Sequence, residues 1–269
     1  MKLSVIDISN NKVKEMELPS QFNEEIRPDL IKRAVLTIQS NKRQNYGASP
    51  EAGKRASVKL SKRRRNYRGM YGYGISRVPR KILSRMGRRF NWVGAFAPGT
   101  VGGRKAHPPK AEKILEKKIN KKERKNAIRS AISATVLKEI VKERGHILPD
   151  NYPFIIDSKL ESLSKTKDVK NFLKKIGFEE ELKRVAKRKI RVGKGKSRGR
   201  KYTRKKGLLI VVSKKSKISE AARNIPGINV VEVKDLNAEV LAPGTKPGRV
   251  TLWSESAIDV LNKGGLFLK

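Results

Sequence analysis

The chain has 269 residues and carries 65 Lys and Arg against 25 Asp and Glu, a formal net charge of +40. A folded protein so far from neutrality repels itself and is relieved by a polyanion held close, which points to nucleic acid and excludes most ordinary soluble enzymes. The absence of cysteine removes disulfide frameworks, thiolate zinc sites, iron–sulfur clusters and cysteine nucleophiles together, while 37% apolar residues suffice for a core.

In chain order, Leu3-Ser-Val-Ile-Asp-Ile8 reads as a strand, and the polar break at Asp7 rules out a signal peptide. Pro28 opens a helix at its first position, with Leu30, Ile31, Ala34, Val35 and Ile38 on one face. A long helical segment is expected over 111–144, where Ile128, Ile132, Val136 and Ile140 recur every four residues and Gly145 stands at the C-cap. Phe154–Asp157 is a short strand. Helices follow at 168–176, stopped by Gly177, and at 179–189. Leu208-Leu-Ile-Val-Val212 is apolar on both faces, as in a central parallel strand, and falls far short of the roughly 18–20 residues that span a bilayer, so no membrane partner is expected. A short helix at 216–224, strands at 230–233 and 250–253, and a terminal helix from Ser254 with Ala257, Ile258 and Leu261 inward complete the pattern. Strands alternating with helices predict an α/β fold: a mostly parallel sheet flanked by helices in three layers, soluble and intracellular.

The charge is uneven. Residues 41–110 and 183–206 together hold 33 Lys and Arg and one acid, Glu51, a net +32, and the other 175 residues carry only +8. The expected organisation is therefore a globular α/β domain over 1–40 and 111–269, an extended irregular basic arm over 41–110 inserted after the first helix, and a basic loop over 183–206 within the domain. The arm has ten Gly, five Pro and seven of the fifteen aromatic residues of the chain. Disordered linkers are poor in aromatics, whereas rings interleaved with arginine suit RNA, whose unstacked bases lie on rings and guanidinium planes. The arm is expected to be mobile alone and ordered when wrapped by nucleic acid. Candidate RNA-binding residues are Arg63, Arg64, Arg65, Tyr67, Arg68, Tyr71, Tyr73, Arg77, Arg80, Lys81, Arg85, Arg88, Arg89, Trp92, Arg104, Lys105 and His107 in the arm, and Lys194, Lys196, Arg198, Arg200, Lys201 and Arg204 in the loop. The bland alternatives are a solvated charge run for the first and a localisation-type basic patch for the second.

Catalysis has little material. A nucleotide-binding α/β sheet needs a glycine-rich turn directly after a strand. Here Ile8 is followed by Ser-Asn-Asn, Asp157 by Ser-Lys-Leu, Val212 by Ser-Lys-Lys and Val233 by Lys-Asp-Leu. Gly195-Lys-Ser197 resembles the end of a phosphate loop, but Ile190 stands where its first glycine belongs. The two histidines, His107 and His146, are 39 residues apart and have no acidic cluster around them. His146 reads as a helix-end residue and His107 as a packing or RNA-contacting one. No enzyme activity, cofactor or metal is expected.

Trp92-Val-Gly-Ala-Phe-Ala-Pro98-Gly-Thr-Val-Gly102-Gly-Arg104-Lys-Ala-His107-Pro-Pro-Lys110, leading to Asn126-Ala-Ile-Arg-Ser-Ala131, resembles the universal large-subunit ribosomal protein four family in its archaeal form. The resemblance extends through Gly193–Arg200 and the closing Leu241-Ala-Pro-Gly244 and Leu252-Trp-Ser-Glu-Ser-Ala257. The chain ends at Lys269 without the lysine-rich extension of the eukaryotic branch. The resemblance implies a structural constituent of the large ribosomal subunit in the cytoplasm, bound to large-subunit ribosomal RNA and to neighbouring large-subunit proteins. It further implies an arm whose tip reaches the nascent peptide in the exit tunnel. The tip falls near Arg63–Arg89, with stems over 44–59 and 91–110. Where the family's tip is Gly-Arg-Ala-Arg-like, this chain has Gly74-Ile-Ser-Arg77-Val-Pro-Arg80. A general nucleic-acid or chromatin-binding protein is the alternative reading of the charge.

Overall fold

The computed structural model describes residues 1–58 and 60–268. Lys59, at one end of the expected stem, and Lys269 lie outside the described residues. The chain divides into two compact units, one formed by Met1–Lys42 with Glu116–Lys269 and the other by Arg43–Leu115.

The first unit begins with an antiparallel pair, β1 (Lys2–Ile6) and β2 (Lys12–Glu17), turned at Asn10 with φ +71°. The sequence pattern had carried β1 on to Ile8. Asp7 instead starts the turn, its carbonyl accepting from Asn10 N at 2.9 Å and its amide donating to Asn11 O at 3.0 Å. β2 escapes a hydropathy reading because Lys-Val-Lys-Glu-Met-Glu is an edge strand whose side chains are exposed apart from Met16. Helix α1 (Pro28–Asn41) follows as expected, with Ile31, Ala34 and Val35 buried.

After the second unit come α2 (Lys121–Val136) and α3 (Lys138–Glu143), in place of one helix over 111–144. Residues 111–120 offer Ile114, which is 83% exposed, and so lack the buried stripe that a short helix requires. The break at Leu137, whose ψ is 106°, is stabilised by the buried Tyr152 hydroxyl, which donates to the Thr135 carbonyl left free by the interrupted helix. Next are β5 (Ile155–Ile156), α4 (Thr166–Lys175) and α5 (Glu179–Ala186). α5 stops three residues before the expected end because Arg188–Ile190 becomes strand β6, paired antiparallel with β7 (Tyr202–Arg204). β8 (Leu209–Val212), α6 (Lys217–Ala221) and β9 (Asn229–Glu232) sit close to their predicted spans. A short α7 (Ala238–Leu241), which hydrophobic periodicity is too brief to reveal, is capped by Asn237, whose Oδ1 accepts from Val240 N at 2.9 Å. β10 (Thr251–Ser254) and α8 (Glu255–Lys263) close the chain.

The main sheet runs β2-β1-β5-β10-β8-β9, parallel throughout except for the β1–β2 edge. Strand alternation divides the core. Val5, Ile155, Leu209, Val211 and Trp253 pack with α1, α2, α7 and α8, whereas Ile6, Ile156, Ile210, Val212 and Leu252 pack with α4 and α6. That two-sided burial is the three-layer α/β arrangement expected from the alternating elements. None of the buried residues in either cluster belongs to 43–115.

The Arg43–Leu115 unit contains a β-hairpin, with strands β3 (Arg80–Met86) and β4 (Arg89–Gly94), where the sequence showed no sustained period. Leu83 bulges between Ile82 and Ser84 and breaks the alternation of β3, which masks it as a pattern. Gly87, at φ +56°, supplies the positive-φ first position of the two-residue turn. Met70 and Ala95 are the buried apolar residues of this unit among those described. The Pro98–Gly103 stretch folds back on itself, Thr100 Oγ1 donating to Ala97 O at 2.8 Å. A side chain at Gly103 would start 2.3 Å from the Ala97 carbonyl oxygen, so this approach requires glycine.

Candidate nucleic-acid interface

In the Arg43–Leu115 unit, the β3–β4 pairing gathers residues that are scattered along the sequence. Phe90 and Trp92 alternate on one face of β4 and stack at 5.3 Å; Tyr67 meets Phe90 edge-on at 5.5 Å and Tyr73 meets Trp92 at 6.5 Å. Arginines rest on the rings: Arg77 lies 4.2 Å and Arg64 5.9 Å from the centroid of Tyr71, Arg68 lies 5.4 Å from that of Tyr67, and Arg104 lies 5.8 Å from that of Phe96. Arg85 Nη1 donates to the Tyr67 hydroxyl at 2.6 Å, and Arg80 Nη2 to Ser76 Oγ at 2.9 Å. Tyr67 and Tyr73 remain 53% and 60% exposed, so these rings present faces to solvent as well as to neighbours. Arg63, Arg65 and Arg88 join the rings around a cavity of about 340 Å³. Lys81 and Arg89 are exposed on the hairpin, and Lys105 and His107 line a separate hollow of the same unit with Tyr46.

The second basic segment, expected to be a loop, is mostly a hairpin. Lys194 and Lys196 lie in a 3-10 turn between β6 and β7, and these two with Arg198, Arg200, Lys201 and Arg204 are all exposed. Tyr202, which the sequence reading left out of its candidates, sits between Arg188 at 5.5 Å and Lys201 at 5.6 Å. Its signal was the alternation of Tyr202 with Arg204 opposite Arg188–Ile190, visible only once the pairing is known.

The electrostatics separate these cations from the rest. Among the described residues, every ion pair lies in the first unit, and no Lys or Arg of 43–115 or 188–206 pairs with a carboxylate. Elsewhere in that unit charge is consumed internally. Glu181, fully buried, accepts from Arg184 Nε and Nη2 at 2.6 Å, from Ile147 N at 3.1 Å and from His146 Nδ1 at 2.8 Å. Burial opposes its charge, but these donors outweigh burial and draw its carboxyl down to about 2. His146 directly follows Gly145 after α3; burial, with the nearby Arg184 and Arg144 charges, lowers its pKa against the raising effect of Glu181 and favours the neutral ring. Arg184 also donates to Lys206 O at 3.0 Å, fixing the base of the β6–β7 hairpin to α5.

Two arginines that the sequence reading missed are structural. Arg249 is 2% exposed and gives its hydrogen bonds to the carbonyls of Gly207, Leu208, Gly227 and Val240 and to Asn229 Oδ1. Arg144 donates to the carbonyls of Pro243, Lys246 and Pro247. Burial brings both guanidinium groups down to about 10.

At the C-terminal ends of β8 and β10, where open α/β sheets place ligands, Glu161 accepts from Ser213 N, Ser213 Oγ, Ser254 Oγ and Ser256 Oγ at 2.6–2.9 Å. Partial burial raises its pKa, and these four donors more than reverse the effect. Among the described residues no group of three or more His, Asp or Glu side chains is placed to hold a metal.

A mostly parallel α/β sheet whose strand ends are closed by its own carboxylate, in a chain with a second unit of stacked rings and of arginines that have no carboxylate partner among the described residues, defines a basic α/β protein. The model of the ribosomal protein L4/L1 family matches residues 16–264, and the chain belongs to that family. Proteins named large ribosomal subunit protein uL4 are similar to it along nearly their whole length. That of Nanoarchaeum equitans is 52% identical over 99% of this chain and 100% of its own. That of Archaeoglobus fulgidus is 44% identical over 98% and 99%, and that of Methanocaldococcus jannaschii 44% over 98% and 99%. The resemblance carried by Trp92–Lys110, Asn126–Ala131 and Leu252–Ala257 is borne out, in its archaeal form.

Proposed function

We propose that this chain is a structural constituent of the large ribosomal subunit in the cytoplasm, that it binds and organises large-subunit ribosomal RNA, and that it does no catalysis. The observation that carries the reading is the Tyr67–Phe90–Trp92–Tyr73 ring cluster edged by arginines that have no acidic partners among the described residues. Phosphates neutralise the arginines where RNA helices crowd, and unpaired bases stack on the exposed rings. Residues 41–110 act as the RNA-penetrating arm, ordered on the nucleic acid, and the basic segment over 183–206 as a second contact. The Arg63–Arg89 stretch forms the tip that meets the nascent peptide, with neighbouring ribosomal proteins alongside.

The test is the salt dependence of purified protein on large-subunit RNA. If roughly ten phosphates are neutralised, log K against log [salt] falls with a slope of about −7 to −9. A slope near zero overturns the reading, and equal competition by duplex DNA replaces it with general nucleic-acid binding. For the tip, a photo-crosslinker at position 77 in assembled subunits is expected to capture a stalled nascent chain. Capture of RNA alone removes the tunnel assignment.

A further inference from the structure

We infer that the two stems of the Arg43–Leu115 unit form a single stalk, zipped together at Gly47 and Gly53, and that these two glycines are positioning residues for RNA binding; their role in binding rests on the reading above. Close approaches of one stem to the other carry the inference. Ala48 N donates to Pro109 O at 3.0 Å. A Cβ at Gly47 would start 2.8 Å from Ala111 N, and one at Gly53 would start 2.4 Å from Arg104 N and 2.5 Å from the Gly103 carbonyl carbon. These neighbours are backbone atoms, which cannot rotate aside, so a side chain at either position parts the stems. Gly53 also sits at φ +75°, a conformation that other residues adopt only with strain.

The approaches keep step along the chain. From Gly47 to Gly53 takes six residues, and from Ala111 back to Arg104 takes seven. Two segments that met by chance would not hold such a register, whereas segments running antiparallel side by side do. Within the first unit, the roots of the same two segments are fixed by a single side chain. Asn41 Nδ2 donates to Lys117 O at 3.2 Å and Asn41 Oδ1 accepts from Lys117 N at 2.8 Å. Asn41 stands six residues before Gly47, and Lys117 six after Ala111.

Gly47 and Gly53 are therefore accounted for by the chain itself, not by a need to pass between RNA helices. Gly72 and Gly74, beside the ring residue Tyr73, differ: a Cβ at either would face open space. The consequence is mechanical. Stems that were free of each other would each have to be ordered by the nucleic acid, and that ordering would be subtracted from the affinity. A stalk zipped beforehand delivers the segment beyond Gly53 in one piece, and RNA has only that segment left to order.

The chain has no cysteine, so the full-length variant G47C/A111C carries one reporter pair. The built Cβ at Gly47 lies 3.0 Å from Ala111 Cβ, against about 3.8 Å in a disulfide, so the bond needs the stems to open by less than about 1 Å. In glutathione buffer without RNA, the pair is expected to close within the monomer, as read by mass and non-reducing mobility. The oxidised protein is expected to bind large-subunit RNA with the wild-type affinity and salt slope. Thiols that stay free, or that pair only between molecules, overturn the stalk; binding by the reduced form but not the oxidised form shows that the stems must part and overturns it equally. G53V, which removes no charge, is expected to leave the salt slope unchanged; if it leaves the stems paired a tenth of the time, apparent affinity falls about tenfold. In the cysteine background G53V should also slow disulfide closure. Lost affinity with closure unchanged would mean that Gly53 makes room for RNA, and the positioning role falls. Should wild type show no salt slope at all, the RNA-binding reading falls while the disulfide result still decides whether the stems are paired.

Discussion

The two units of this chain solve the same problem, an excess of positive charge, in opposite ways. In the Met1–Lys42 and Glu116–Lys269 unit, buried and half-buried cations are matched donor by donor: Arg184 to Glu181, Arg129 to Glu24 at 2.8 Å, and Arg249 to main-chain carbonyls and an asparagine. In the Arg43–Leu115 unit, arginines lean on ring faces and hydroxyls and keep their charge uncancelled. A guanidinium held by carbonyls is committed to the fold, whereas one on an exposed ring keeps edge donors for an incoming phosphate. Placement of partners, more than count of cations, separates scaffold from binding surface.

Four perturbations test that contrast. The largest effect is expected for Arg249→Leu, which removes five hydrogen bonds and leaves the Gly207 and Val240 carbonyls without their arginine donor, while Leu208 O and Gly227 O keep only their backbone donors; unfolding of the α/β unit should be easier by on the order of 3–5 kcal/mol in urea titrations. A loss under 1 kcal/mol would show those bonds to be replaceable by water. Next is acidification. Glu181, ordinarily near 4.5, is held at about 2 when folded, so its contribution is complete above the ordinary value and disappears as pH falls through about 2; neutral His146, held below its ordinary 6.5, loses stability in the same direction. Thermal transitions measured from pH 7 to 3 should fall, and E181Q should flatten the acid limb. Trp92→Ala removes the centre of the ring cluster and is expected to weaken RNA binding by about 1–3 kcal/mol, read by filter binding, with the α/β transition unmoved. The smallest effect is expected from deleting 60–90. The two apolar clusters of the sheet take nothing from 43–115, so one cooperative transition should persist, and its disappearance would mean that the units fold as one.

The parts legible in the sequence were those written locally. Leu208–Val212 announces a central strand because both of its faces are buried, and Pro28 with its apolar face announces α1. Most arm candidates, Tyr67, Trp92 and Arg77 among them, were legible from composition alone, and the structure brings those three into ring contacts. What stayed hidden depends on distant partners. Arg249 is one cation among 65, and its acceptors lie 9–42 residues away; Glu161 meets its serines 52–95 residues on. The β3–β4 hairpin was obscured by one extra residue, Leu83, that shifts the period of its first strand.

Glu161 also bears on the life of the chain before it meets any partner. Many sheets of this architecture leave the position at the strand ends, beside a helix N-terminus, for a phosphate brought by a cofactor. Here the anion is supplied by the polypeptide itself, seated against Ser254 and Ser256 at the start of α8. The newly made α/β unit thus carries its own keystone at the ends of its strands.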